Sequence, residues 1–180
     1  MAAFEHPTAL IEPHSYMHAA FMDMAADFSA AGETRYEDFL TISLARFSTY
    51  IANLQKYPRG QDLVPGHVPQ STFWLAAEGD ILVGTIRIRH WLNEQFTHEG
   101  GHIGYDIRPC YRGCGLGTQQ LRLALPKAQQ LGLLRLLITC DTDNIASAKI
   151  IEKNGGKLEN QVRSRTSGVL VSRYWISLSR

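Results

Sequence analysis

A single α/β domain is the fold class this sequence predicts, on three observations. The chain has 180 residues, enough to bury one sizeable core and too few for two comfortable ones. Strand-like apolar runs alternate along it with runs of helical spacing. A glycine-rich stretch, Arg112-Gly113-Cys114-Gly115-Leu116-Gly117-Thr118, lies between a strand-like run, His102 to Arg108, and a helical one, Thr118 to Leu131.

The elements follow in order. His14 to Ala31 carries Met17, Ala20, Phe21, Met24, Ala25 and Phe28 at helical spacing, which predicts one amphipathic helix. A second helix is expected from Tyr36 to Tyr57, with Phe39, Leu40, Leu44, Phe47, Tyr50, Ile51 and Leu54 as its apolar stripe and Pro58-Arg59-Gly60 as its end. Pro65-Gly66 and Pro69 mark a loop up to Gln70. Ser71 to Ala77 and Asp80 to Trp91 read as antiparallel strands joined at Glu78-Gly79; in the second, Thr85, Arg87 and Arg89 alternate with Gly84, Ile86 and Ile88. After the glycine loop, the helix to Leu131 contains Pro126, which removes a backbone donor and crowds the carbonyl of Arg122, so a kink is expected. Leu133 to Cys140 reads as a buried strand, followed by Asp141-Thr142-Asp143-Asn144-Ile145-Ala146-Ser147 and a short helix ending at Asn154-Gly155-Gly156. Lys157 to Arg163 and Val169 to Leu178 close the sheet around a turn near Ser167-Gly168.

Composition excludes several functions. Lys+Arg number 18 against 17 Asp+Glu, and no run of like charge occurs, so nucleic-acid binding has no electrostatic footprint. The apolar stretches are strand-sized, far short of the ~20 residues that span a bilayer. Met1-Ala2-Ala3-Phe4-Glu5-His6-Pro7 lacks both the positive start and the apolar core of a secretory signal, so a cytoplasmic protein is expected. The three cysteines do not form a disulfide framework. Cys110 and Cys114 lack the closer spacing and the companion histidines of a metal site, and Gly100-Gly101 keeps His98 and His102 off one helical face; no metal is expected.

The glycine loop carries the chemistry. Residues without a Cβ let the backbone bend sharply and approach a ligand; converging amides and the positive end of the following helix then make an anion cradle suited to a pyrophosphate. A nucleotide-triphosphatase loop would need Lys and then Ser or Thr after its last glycine, but Thr118 follows Gly117 directly. A dinucleotide fingerprint would need glycine at Thr118. Arg112-x-x-Gly115-x-Gly117 remains.

This pattern resembles motif A of the GNAT superfamily, the acyl-CoA-dependent N-acyltransferases. His102-Ile103-Gly104-Tyr105-Asp106-Ile107-Arg108-Pro109 is similar to that family's splayed fourth strand, and Asn144 with the helix after it to motif B; the run through Gly156 looks most like a bacterial branch of acetyltransferases. The resemblance implies a mixed, mostly antiparallel sheet flanked by helices on both faces. It implies an acetyl-CoA-binding core over residues 79–156, an acceptor-side helical region over 14–70, and acetyl-CoA as cosubstrate without a metal. Arg112, Gly113, Cys114, Gly115, Leu116, Gly117 and Thr118 would face the pyrophosphate, and the backbone of Ile107 the pantetheine. The implied partner is a small-molecule or peptide amine, with a homodimer compatible. The implied reaction is direct attack of the amine on the thioester; the alternative is an acyl-CoA-binding domain that has lost the chemistry.

Asn144 is expected both to cap its helix and to reach pantetheine or the thioester, and Ser147 lies on the same helix edge. Lys149 and Lys153 share a face and read as solvated. Many members of the family place a tyrosine seven residues after the asparagine, as acid for the leaving thiolate; Ile151 stands there, leaving Tyr174 and Tyr105 as substitutes, or water. His102, Asp106 and Asp141 are the candidate bases, and Arg112 reads as a brace for the loop as much as a phosphate ligand.

Overall fold

The computed structural model describes residues 6–178; Met1 to Glu5, most of the amino-terminal stretch read above, and Ser179-Arg180 lie outside the described residues. Among the described residues seven strands form one sheet: β1 (Thr8–Ile11), β2 (Gln70–Ala77), β3 (Ile81–Arg89), β4 (Ile103–Ile107), β5 (Arg135–Asp141), β6 (Lys157–Arg163) and β7 (Leu170–Ser177). Their spatial order is β1-β2-β3-β4-β5-β7-β6. Only β4 and β5 run parallel; the other neighbours are antiparallel. This is the mixed, mostly antiparallel sheet implied by the resemblance.

Helices cover both faces because the strands are apolar on both. On one side α1 (His18–Ala30) and α2 (Leu44–Lys56) press Phe21, Met24, Phe28, Phe47 and Ile51 onto Trp74, Ala76 and Leu82. On the other, α4 (Leu116–Gln130) and α5 (Ile145–Lys153) bury Leu121, Ala124, Ala128 and Ile151 against Ile86, Ile88, Ile103, Ile138 and Ile176. The short α3 (Glu94–His98) lies between β3 and β4. Between Ala76 and Leu75 the β2–β3 register slips by one residue, a bulge at Val83. The slip is why Leu82 joins the α1 face while Ile86 and Ile88 join the α4 face.

The structure corrects the element boundaries in four places. The helix expected over 36–57 is two pieces, a tight turn at Thr34–Phe39 and then α2. Tyr36 leaves helical geometry at φ −125°, and the β-branched Thr41-Ile42 precedes Ser43, an extended residue whose hydroxyl accepts the Arg46 N–H at 3.4 Å. Serine competes with helical bonding in mid-helix and caps well. β1 and α3 carry too few residues to announce themselves by periodicity. α4 starts at Leu116, two residues ahead of the expected Thr118, and continues through Pro126 to Gln130.

Where β4 meets β5 the pairing is a single register pair, Ile103 with Ile138. Just before it, Gly101 and His102 pin the two strands. The His102 N–H donates to the Leu137 carbonyl at 2.7 Å, and the Leu137 N–H donates to His102 Nδ1 at 2.9 Å. The ring nitrogen thereby takes the place of a carbonyl in the ladder. Gly101 sits at φ +57°, and a Cβ on it would stand 2.4 Å from the Leu137 carbonyl oxygen. Beyond Ile103 the strands part, while β4 stays paired with β3 as far as Ile107 opposite Gly84.

Two outcomes test this hinge. Gly101→Ala combines a left-handed backbone with a clash against rigid main chain and is expected to cost about 2 kcal/mol or more. Gly132→Ala, where φ is +83° and nothing lies within 4 Å, is expected to cost about 1 kcal/mol; equal urea midpoints for the two variants would contradict the account. His102, pushed down to about 4 chiefly by burial from an ordinary 6.5, stays neutral when folded. Its folded value lies below its unfolded one, so the unfolded chain binds the extra proton between them. Its contribution to stability is therefore full above about pH 6.5 and is lost as pH falls toward 4. An NMR titration of the His102 ring should show a midpoint near 4, and one near 6.5 would refute the pinning role.

Candidate functional site

The N-terminus of α4 is built to leave its amides open. Gly113 (φ 78°) and Gly115 (φ 82°) adopt left-handed conformations that reverse the chain, and Gly115 is the N-cap, with no side-chain hydrogen bond at the cap and no acidic residue in the first turn. The first helical bond is Gln119 N–H to the Gly115 carbonyl, at 3.1 Å. The N–H groups of Leu116, Gly117 and Thr118 precede it and have no intrahelical partner. By contrast, side chains close the starts of α2, α3 and α5, capped by Ser43, Asn93 and Asn144. An uncapped start preceded by glycines, at the positive end of a helix of 15 residues, is an anion site in its geometry.

Charged residues of the α1 region hold this loop from behind. Glu33 grips the Arg112 guanidinium with both carboxylate oxygens, one of them at 3.1 Å. Arg112 Nε donates to the Ile107 carbonyl at 3.0 Å, and the guanidinium lies 5.5 Å from the Phe28 ring. Glu33 is held below its ordinary range first by the Arg112 hydrogen bond. Within α1, Asp27 bonds Arg108 Nε and accepts from Cys110 Sγ at 2.9 Å, and these two contacts lower its pKa. Arg112 therefore spends its donors on the fold. Cys114 is half-buried, its Sγ 3.6 Å from the Arg112 carbonyl. Cys110, Cys114 and Cys140 are all free thiols.

Gly117 joins the cradle to the parted strands. A Cβ on it would meet Ile150 Cδ1 at 2.6 Å and Ile107 Cγ1 at 3.6 Å, so its bare Cα is the contact that lets α4 pack on α5 and the end of β4. A branched side chain there would strike that contact first, ahead of any ligand. Asn154 ties the same corner, donating to the carbonyls of Thr118 at 3.1 Å and Ile150 at 2.8 Å.

The gap between β4 and β5 holds the second group of candidates. Arg108 N–H bonds the Val83 carbonyl, and Arg89 N–H the His102 carbonyl, each at 2.8 Å. This phase directs Gly104 and Asp106 to β3, and the N–H and C=O of Tyr105 and Ile107 toward β5, from which they have parted. Across the gap the Tyr105 hydroxyl lies 2.8 Å from Ser147 Oγ, and burial pushes the Tyr105 hydroxyl up to about 12. Asn144 Oδ1 accepts the Ser147 N–H at 3.0 Å, so its cap role is present and its amide nitrogen is left over. The structure thus brings the glycine loop, Ile107, Tyr105, Asn144 and Ser147 to one corner.

Other sequence candidates lie elsewhere. Tyr174 is a core residue of β7, and its hydroxyl donates to Glu152 at 3.4 Å. Ile151 is fully buried, packed under Gly156, where a Cβ would stand 2.4 Å from its Cγ2. His102 spends Nδ1 on the hinge. Asp141, Lys149 and Lys153 are exposed. Asp106 points to the α1 face, where its buried carboxylate accepts from the hydroxyls of Tyr36 (3.2 Å) and Thr85 (3.3 Å) and pairs with Arg35 at 2.9 Å. The partners Asp27, Glu33, Arg35 and Tyr36 were not singled out from sequence, because each meets its target across 70 or more residues or, for Thr85, across 49. Among the described residues, no cluster of three or more His, Cys, Asp or Glu could hold a metal ion, and no helix is long and apolar enough to cross a membrane.

Comparison with known proteins places this geometry. No curated protein matches the sequence. Among solved structures, RimL, a ribosomal L7/L12 alpha-N-protein acetyltransferase in complex with coenzyme A, superposes with a TM-score of 0.69 at 16% identity, covering 98% of this chain and 97% of that one. Mycobacterium smegmatis RimJ, in complex with a CoA-disulfide, gives 0.71 at 15% identity over 94% of this chain and 81% of that one. The microcin C7 self immunity acetyltransferase MccE, in complex with acetyl-CoA and AMP, gives 0.68 at 12% identity over 96% and 93%. At these identities the likeness is one of fold. The family model described as the acetyltransferase (GNAT) domain matches residues 16–157, most of the chain, and the protein therefore belongs to the GNAT family of acetyltransferases.

Proposed function

We propose that the protein transfers the acetyl group of acetyl-CoA to a primary amine by direct attack within a ternary complex. The observation that carries this reading is the uncapped, glycine-led start of α4 set against the end of a strand that has left its neighbour. The amides of Leu116, Gly117 and Thr118 suit the two phosphates, while Arg112 braces the loop through Glu33. The N–H and C=O of Tyr105 and the N–H of Ile107 suit the amide groups of pantetheine, which would add to β4 as a short strand does. A thioester at the end of that arm would lie by Tyr105 and Ser147, on the way through the gap to the α1 face.

The amine nitrogen forms a bond to the thioester carbon, the carbonyl oxygen takes up negative charge, and the carbon–sulfur bond then breaks. The nitrogen loses a proton and the thiolate gains one. Ser147, polarised by its hydrogen bond with Tyr105, is the hydroxyl best placed to meet the sulfur or the oxyanion, and the Asn144 amide is the neighbouring donor. Tyr174, whose hydroxyl is engaged by Glu152, is given a structural part.

Two experiments test the reading. Cys114→Asp puts a carboxylate at the mouth of the cradle, where it repels pyrophosphate and favours the helix start, so folding is preserved. Acetyl-CoA affinity by calorimetry is expected to fall at least about tenfold, with Cys114→Ser unchanged; full affinity in Cys114→Asp would sink the cradle assignment. Ser147→Ala is expected to lower kcat by about a hundredfold at unchanged acetyl-CoA affinity, the scale of a lost acid or oxyanion donor, and Tyr174→Phe by less than about tenfold. A hundredfold fall in a folded Tyr174→Phe would move the acid to β7. Acetyl-CoA binding with no thiol released by any amine would instead leave the chain a binding domain.

A further inference from the structure

Two arginines stand on the same face of β3, and the fold uses them differently. Arg89 donates to the carbonyls of Gly100 and Gly101 at 3.2 and 2.9 Å and lies 3.9 Å over the Phe96 ring. Arg87 has no such bonds. Its one ion pair among the described residues is with Asp106, Nη2 to Oδ2 at 3.8 Å, outside hydrogen-bond reach. Asp106 is already served: Arg35 takes Oδ1 at 2.9 Å, and Tyr36 and Thr85 donate to Oδ2. Two guanidinium groups thus face one carboxylate, and the charge left over belongs to Arg87.

Its position is specific. The guanidinium lies beside Gly104 of β4, where a Cβ would stand 3.4 Å from Nη2 and 3.7 Å from Nε. Gly104 belongs to the stretch of β4 that has parted from β5, so Arg87 is one residue from the gap, on the face opposite Tyr105 and Ser147. Its side chain keeps 37% of its exposure. Its guanidinium makes no hydrogen bond within the described residues and stays accessible, and its planar fork matches a carboxylate.

We propose that the acceptor carries a carboxylate close to its amine and that Arg87 binds it, so that the substrate class is a small amino carboxylate of the amino-acid kind. The inference rests on the acetyl-transfer reading and adds the acceptor to it. Arg87 is separated from the gap by the width of one glycine, which leaves room for few bonds between the charged group and the attacking nitrogen. A peptide N-terminus presents a neutral amide at that distance. Arg35 is tied to Asp106 at 2.9 Å, and Asp106 thereby keeps the two guanidinium groups together.

The test uses matched pairs. Thiol release from acetyl-CoA is followed with free amino acids, with the same compounds as carboxamides, and with short peptides that begin with acidic residues. The free acids are expected to exceed their amides in kcat/KM by at least about tenfold, a bidentate pair's scale. Arg87→Gln should bring that ratio close to one, mainly through KM, while acetyl-CoA affinity stays unmoved; Arg87→Lys, which keeps the charge and loses the fork, should restore part of it. Equal rates for acid and amide, a ratio that survives Arg87→Gln, or acidic peptides outrunning the free acids would each overturn the proposal. A second readout needs no turnover: N-acetyl amino acids should bind the coenzyme A complex, their amides should not, and Arg87→Gln should abolish the difference. No such difference in binding would refute the Arg87 site whatever the activity, whereas the difference without any thiol release would refute acetyl transfer alone.

Discussion

Past Ile103 the fourth strand loses its parallel neighbour, and the features of the site depend on that divergence. A strand in mid-sheet normally spends its backbone groups on both sides. Here β4 keeps its ladder to β3 while the N–H and C=O of Tyr105 and the N–H of Ile107 face open space, the Ile107 carbonyl being taken by Arg112. The sheet tolerates this because the hinge is over-determined. Gly101 brings the backbone against Leu137 more closely than any side chain would permit, and the buried, neutral His102 supplies an acceptor where the parallel ladder is about to fail. In the proposed reaction a single stretch of backbone thereby serves both as the wall for the coenzyme arm and as a passage between the faces of the sheet.

Three charge pairs bind the helical side of the molecule to that strand: Asp27 with Arg108, Glu33 with Arg112, and Arg35 with Asp106. Partly exposed pairs of this kind contribute little to overall stability. Their effect is geometric. They fix the end of α1 and the turn after it against β4 and the glycine loop, so the surface expected to receive the acceptor and the surface expected to hold the coenzyme share one frame. Because Arg112 is neutralised by Glu33, the positive field at the cradle comes from the helix amides, which cannot swing away as a long side chain can. On the opposite face the charge balance is reversed, since Arg87 is left without a full partner.

Much of the frame was legible in the chain. The alternation of Thr85, Arg87 and Arg89 with Ile86 and Ile88 marked a strand, although the structure covers it on both faces, and the spacing of Phe21, Met24 and Phe28 marked the helix above it. The glycines before Leu116 gave the cradle, because backbone freedom and missing side chains are properties of single residues. The break at Ser43 was not legible: the apolar stripe of Tyr36 to Tyr57 is continuous, and only the pull of Tyr36 toward Thr85 and Asp106 shows that its first turn belongs to another contact.

What the sequence determined by itself is therefore local: which segments are strand or helix, where the chain must turn, and which loop can cradle an anion, each set by periods of a few residues and by glycine's lack of a Cβ. The tertiary structure alone decided which candidates come together. It drew Tyr105 and Ser147 to 2.8 Å across the gap, sent Ile151 into the core and Tyr174 to Glu152, committed His102 to the hinge, and left Arg87 unspent over Gly104. Such pairings depend on strand order and register, and residues distant in the chain carry no local signal of whom they will meet.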